Sequence, residues 1–276
     1  GRSNRGGSNV RYTFTESATD PNAIQVNVRR TSDSTNGPIA LLMPNILGVD
    51  EFQTTQNAQA TQVEIDIALV IDRSGSMAYS ATEVADGSAP PAAAPFGWDF
   101  GDHVPPNSRW LDTVNAVNVF IGELNASPTT ERVSLSTYEA HSTVDLNFTT
   151  NYSSVLTKLD VYTQNFNGGA TNVAAGIDSG ASTFNNAAAR PWASKVLIVL
   201  TDGIQTVPGS PVTSANNAGS DGIMIHTVTF SDEADQTAMT NVAAATNGKH
   251  YHASTGADLS TVFREIAASL PTLLTK

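Results

Sequence analysis

The chain has 276 residues, 40% of them hydrophobic, which is enough for one large domain with an appendage or for two domains and excludes wholesale disorder. Its 26 acidic residues outweigh 14 basic ones, and the net charge of -12 argues against nucleic acid or an anionic membrane surface as the main partner. There is no cysteine, so neither a disulfide nor a thiolate metal site is available.

Residues 1–9 are small, polar and mildly basic and read as flexible. Strand patterns follow in "VRYTFT" (10–15) and "AIQVNVRR" (23–30). In the second, Ile24, Val26 and Val28 alternate with Gln25, Asn27 and Arg29, the period of a half-buried strand. "GPIALLM" and "NAQATQVEI" read as further strands, and no helical period occurs before Gln62. Residues 1–62 are therefore expected to form a small β-rich module, and 63–276 a second domain. The longest apolar run, Ile39 to Gly48, is too short to span a bilayer and carries a proline.

From "DIALVID" onward the pattern changes to strands alternating with helices. That segment is an apolar run bounded by acids, as a strand buried on both faces requires. "NSRWLDTVNAVNVFIGELN" offers Asn107 or Ser108 as N-cap, with Trp110, Leu111, Val114, Val117, Ile121 and Leu124 at helical spacing. "RVSLSTYE" and "STVDLNFT" read as an antiparallel edge pair joined near Ala140 and His141. Helices are expected in "YSSVLTKLD" and "NVAAGIDSGASTFNNA", then the buried strand "KVLIVLTDG" and the strand "GIMIHTVTF". A helix from Glu233 to Thr246, the short strand "HYHAS" and a last amphipathic helix complete the chain. The predicted class is a doubly wound, mostly parallel α/β sheet with helices on both faces, preceded by the β-rich module. Residues 79–108 interrupt the first strand-to-helix connection with prolines, glycines and aromatics, so they read as an insertion.

In open α/β sheets, ligands bind beyond the carboxyl ends of the strands, where the strand order reverses. Asp72, Ser74 and Ser76 lie just past one buried strand, in "DRSGSM". Thr171 follows a glycine pair at the entrance to a helix, and Asp202 ends another buried strand in "LTDG". Two carboxylates and three hydroxyls would converge there. Such an all-oxygen set suits Mg²⁺, Mn²⁺ or Ca²⁺ rather than zinc.

Taken together, "DRSGSM", Thr171 in "GGATN" and "LTDG" resemble the metal-ion-dependent adhesion site of von Willebrand factor A domains, over about residues 64–270. The resemblance implies that Ser74, Ser76 and Thr171 ligate a divalent ion through their hydroxyls. It implies that Asp72 and Asp202 bind directly or through water, and that a carboxylate from a protein or glycan partner completes the octahedron. The insertion after Met77 and the extra Ala170 depart from the family pattern without removing a ligand. Residues 10–62 resemble the corresponding region of TadG-like proteins of bacterial Flp pilus assembly. That likeness implies an extracellular or cell-surface setting, pilus subunits as partners, and a hydrophobic N-terminal helix upstream of Gly1 as the only membrane anchor. The family also serves magnesium-chelatase-like and ATPase-coupled assemblies, which is the alternative reading.

Other motifs yield less. No G-x-S-x-G elbow, Walker lysine motif or G-x-G-x-x-G occurs, which leaves serine-hydrolase and nucleotide chemistry without support. "GIDSGAS" imitates the metal motif, but Gly180 stands in place of its first serine and the segment reads as mid-helix. His250 and His252 alternate on a strand without a third ligand, and Asp99 with "GDH" reads as a solvated loop. Phe96, Trp98 and Phe100 concentrate in the insertion and are expected either to anchor a partner beside the metal or to fold back onto the domain and cover the adjacent helix. The expected function is metal-dependent binding, not catalysis.

Overall fold

The strand "IDIALVID" is buried at every position, and its alternating side chains feed two separate cores. Ile67, Leu69 and Ile71 face one core and Ala68 and Val70 the other. A strand with two apolar faces is stable only between two helical layers. The computed structural model describes residues 2–5, 12–16, 23–42, 48–61, 64–127 and 129–270. They fall into two units, Gly1–Val63 and Glu64–Lys276.

The first unit contains only strands among its described residues. β1 (Arg2–Arg5) pairs antiparallel with β2 (Tyr12–Thr15), and β3 (Ala23–Arg30) pairs likewise with β6 (Thr54–Thr61), Val26 opposite Ala58. β4 (Ile39–Ala40) and β5 (Glu51–Phe52) form a short third ladder. Residues 2–5 are thus a strand rather than the flexible segment their composition predicts. Their pairing uses main-chain groups that polar side chains do not preclude. Ile24, Val26 and Val28 share one face, as their alternation predicts, but that face is exposed rather than buried, as is the face of Gln25, Asn27 and Arg29. Parts of the other expected strands, at residues 10–11, 43 and 62–63, lie outside the described residues.

In the second unit, β7 (Ile65–Asp72), β8 (Arg132–Tyr138), β9 (Ser142–Thr149), β10 (Ser194–Thr201), β11 (Ile223–Phe230) and β12 (His250–Ala253) make one sheet, ordered β12-β11-β10-β7-β8-β9. All neighbours are parallel except the β8–β9 edge hairpin. One helical layer comprises α1 (Arg109–Ala126), α2 (Ser153–Gln164) and α6 (Gly256–Ser269). The other comprises α3 (Val173–Ser182), α4 (Pro211–Ser220) and α5 (Gln236–Ala244). Gly180 lets α3 close onto the sheet, since a Cβ there would fall 2.3 Å from Val70 Cγ2. Among the described residues no helix is long and apolar enough to cross a membrane.

The sequence pattern misses α4. It carries only Val212 and two alanines as apolar residues, but Ser210 caps it and Pro211 occupies its first turn, a recognised start signal. The parallel β10–β11 pair also requires a crossover there. The connections leave β7 toward one edge of the sheet and β10 toward the other, so the reversal of strand order falls between these two strands.

Candidate metal site

At that reversal β7 ends in Asp72, and the chain turns through Ser74 into a 3₁₀ turn, Gly75–Ala78. Asp72 folds the turn onto itself: its Oδ1 accepts from the Ser74 N–H at 2.8 Å, the bond of an Asx turn. Its Oδ2 accepts from Thr201 Oγ1 at 2.8 Å, which ties the end of β7 to the end of β10. Ser74 Oγ lies 3.1 Å from Ser76 Oγ, and Ser76 Oγ donates to Asp202 Oδ1 at 2.8 Å.

Thr171 arrives from a third direction. Its N–H donates to Thr206 Oγ1 at 2.8 Å, and the Gly75 N–H donates to Gly169 O at 2.9 Å, which locks this loop onto the β7 turn. Thr171 Oγ1 and Ser76 Oγ lie 3.7 and 3.8 Å from where a Cβ on Gly203 would stand. Both hydroxyls thus border one small volume that the absent side chain keeps open. All five residues singled out from the sequence meet here, and the extra Ala170 does not displace Thr171. A cleft of about 650 Å³ opens over Ser76, Thr171 and Asp202, walled by Asp86 and Phe100 of the insertion and by Ile204 and Glu233.

The insertion aromatics separate. Phe96 is fully exposed, while Trp98 is half-buried against the core, its Nε1 donating to His103 O at 2.9 Å. Phe100, 45% exposed, stacks edge-on against Trp98 at 5.1 Å and lines the cleft. Its ring fits because Gly168 has no side chain: a Cβ there would meet Phe100 Cε1 at 2.5 Å. Val104, at the far end of the insertion, is a core residue.

Sequence reasoning passes over Arg109. Its guanidinium is fully buried, with Nη1 2.8 Å from Asp202 Oδ2 and Nη2 2.6 Å from Glu233 Oε2. An arginine at the first turn of a helix ordinarily reads as exposed. The available signal was its place between a capping serine and a core tryptophan.

Burial, reinforced by the nearby charge of Asp202, pushes the Asp72 carboxyl up to about 7, against the opposing bonds from Ser74 and Thr201. Burial also raises Asp202, opposed by Arg109 and Ser76. Two buried carboxylates beside three hydroxyls, with one arginine between them and Glu233, leave like charge under-neutralised. A hard divalent cation is the group that this donor set fits.

The sign of the pH dependence follows. Without metal, folded Asp72 keeps a proton that the unfolded chain loses near its ordinary value of 3.8. Its contribution to stability is full below that value and is lost as pH rises through about 7. A metal requires the ionised form, so the rise in thermal midpoint on adding Mg²⁺ is expected to be small at about pH 5 and to grow toward about pH 8. His226, which burial pulls down to about 4, contributes the opposite slope with and without metal and cancels in the difference. Melting curves across this range with and without Mg²⁺ check the sign; a midpoint shift that shrinks with pH contradicts it.

The minor candidates are engaged by their own neighbours. His250 and His252 each bond to hydroxyls of Thr227, Thr229 or Ser254. Asp99 and Asp102 serve the backbone of their own turn. Among the described residues no group of three or more His, Asp or Glu side chains gathers to hold an ion.

A doubly wound sheet with an oxygen-lined cleft at its switch point places the second unit in the open α/β class. The family model for the von Willebrand factor type A domain matches residues 99–265, and the chain belongs to that family. The match starts inside the insertion, so Asp72, Ser74 and Ser76 precede it, although β7 is central to the same sheet. Among solved structures, the PilB minor pilin of Streptococcus sanguinis is similar at 15% identity and TM-score 0.57, over 82% of this chain and 66% of that one. The vWF domain of the type V pili tip protein Mfa5 from Porphyromonas gingivalis is similar at 14% and 0.56, over 79% and 98%. Proximal thread matrix protein 1 from the mussel byssus, with a zinc-occupied MIDAS motif, is similar at 16% and 0.52, over 76% and 46%. At these identities the likeness is one of fold. No curated protein matches the chain.

Proposed function

We propose that this chain is a non-enzymatic, extracellular binding protein that grips its partner through a divalent metal, Mg²⁺, Mn²⁺ or Ca²⁺. Ser74, Ser76 and Thr171 hold the ion through their hydroxyls, and Asp72 and Asp202 hold it directly or through water. The observation that carries this reading is the convergence of three hydroxyls and two buried carboxylates from three separate segments, with Ser76, Thr171 and Asp202 lining an open cleft. The ion, when bound, supplies a coordination position that a carboxylate of a protein or glycan partner fills. Asp72 and Asp202 are both engaged by neighbouring donors, so neither is free to act as a general base, which supports binding over hydrolysis.

A setting at a bacterial surface or pilus is supported by the fold shared with a minor pilin and with a pilus tip domain. Residues 10–62 are the part whose sequence resembles TadG-like proteins. Phe100, on the wall of the cleft, and Phe96, exposed ahead of it, anchor the partner, while Trp98 props Phe100 from behind.

The test uses Mn²⁺-loaded protein and a peptide that carries glutamate beside an aliphatic residue. Displacement of metal-bound water by the carboxylate should lower the water-proton relaxation enhancement. Phe100→Ala should weaken the peptide, on the order of tenfold for a lost aromatic anchor, and leave Mn²⁺ affinity unchanged. A peptide with glutamine in place of that glutamate that competes equally well would sink the reading.

A further inference from the structure

We propose that Arg109 is a positioning residue that pins the strap of residues 79–92 to Asp202, so that strap order and metal binding are one coupled equilibrium. This rests on the metal reading above and adds to it a route by which the insertion tunes the site. The guanidinium spends its donors on two groups of partners. On the site side, Nη1 takes Asp202 Oδ2 at 2.8 Å, which leaves Oδ1 facing Ser76 and the cleft. On the strap side, Nε donates to Ser80 O at 3.1 Å and Nη2 to Glu83 O at 2.6 Å.

Glu233 closes the ring. It accepts from Arg109 Nη2 at 2.6 Å, and both its oxygens accept from the Ala85 N–H at 3.1 Å. Within the strap, Glu83 accepts from the N–H groups of Ser80 and Ala92 at 2.7 and 2.6 Å, and Tyr79 donates to Ala89 O at 2.7 Å. The strap has no helix or ladder of its own, so these bonds define its path. It also supplies Tyr79, Ala85, Asp86 and Gly87 to the wall of the cleft.

Two physical consequences follow. A planar fork that meets a carboxylate on one side and two carbonyls on the other fixes all three, which a point charge cannot do. An outer partner that orients a metal-holding carboxylate typically carries about 10–100-fold of metal affinity. Because coupling is reciprocal, whatever the strap contributes to the metal, the metal returns as strap order.

The experiment measures Mn²⁺ affinity and backbone hydrogen exchange on the full chain, with and without Mn²⁺, for wild type, Arg109→Lys and Glu233→Gln. In wild type, Mn²⁺ should slow exchange at strap amides such as Ala85 and Ala92 by a factor of about 5 or more. Arg109→Lys should lower Mn²⁺ affinity by about 10–100-fold and uncouple the strap from the metal. Glu233→Gln, a residue of the cleft wall that also holds Arg109 and the strap, should weaken Mn²⁺ and speed strap exchange together, a pairing that loss of its charge from the cleft alone would not give. Wild type that binds Mn²⁺ with no change in strap exchange overturns the proposal, as does Glu233→Gln with wild-type affinity. If wild type binds no Mn²⁺, the metal reading has failed; the pin then stands or falls on whether metal-free Arg109→Lys exchanges faster in the strap while the sheet stays protected.

Discussion

Asp72→Asn is expected to abolish divalent-metal binding and, at about pH 8, to raise the thermal midpoint of the metal-free protein. Asp72 is fully buried and its carboxyl is pushed up to about 7, so above that pH the folded state carries a charge it disfavours. Asparagine keeps the oxygen that accepts from the Ser74 N–H, and its amide can donate to Thr201 Oγ1, where Asp72 Oδ2 now accepts. What it removes is a buried charge and its repulsion with Asp202. A gain of about 1 kcal/mol would raise the midpoint by about 2–4 °C in a domain of this size. The metal, by contrast, loses a carboxylate that the oxygen set needs. Stability and function thus pull in opposite directions at one residue, the usual mark of a binding site. Melting curves without metal and a Mn²⁺ titration check both halves; a lower metal-free midpoint with binding intact sinks the assignment.

Arg190→Met is expected to destabilise the second unit by about 3–5 kcal/mol, the cost of leaving a buried charge without its partner. Asp66, at the start of β7, is buried, and its Oδ1 meets Arg190 Nη2 at 2.7 Å and Nε at 2.8 Å. The Arg190 N–H donates to Asp66 Oδ2 at 2.6 Å, and Nη2 and Nη1 reach Ile65 O and Thr130 O at 2.7 and 3.2 Å. This one side chain joins the start of β7 to the segments that lead into β8 and β10. It lies at the opposite end of β7 from Asp72. Metal affinity should therefore persist wherever the variant remains folded. Urea unfolding measures the loss, and a change under about 1 kcal/mol contradicts this account of the pair.

The sheet was legible because buried parallel strands read as apolar runs, and "DIALVID", "KVLIVL" and "GIMIHTVTF" have no other stable use. The oxygen cluster was legible because carboxylates and hydroxyls at strand ends stand out against such runs. Its assignment to a metal comes from the family resemblance and the chemistry of the donors. Three features were hidden for distinct reasons. Helix α4 buries Ser214, Ala215 and Ala218, small residues that give hardly any periodic signal. Arg109 is buried only because Asp202 and Glu233, far along the chain, meet it, and no local pattern encodes that encounter. Trp98 and Phe96 look alike in sequence, yet tertiary packing takes one and leaves the other in solvent.

The central claim is that one divalent ion sits among Asp72, Ser74, Ser76, Thr171 and Asp202. Calorimetric titration of Mn²⁺ and Mg²⁺ into chelator-stripped protein tests it most directly, with Thr171→Ala alongside, because that change removes a hydroxyl without disturbing the buried carboxylates. The account predicts one ion bound per chain in the wild type, and no binding by a Thr171→Ala variant that still melts cooperatively. A flat titration of folded wild type, or undiminished binding by Thr171→Ala, contradicts it.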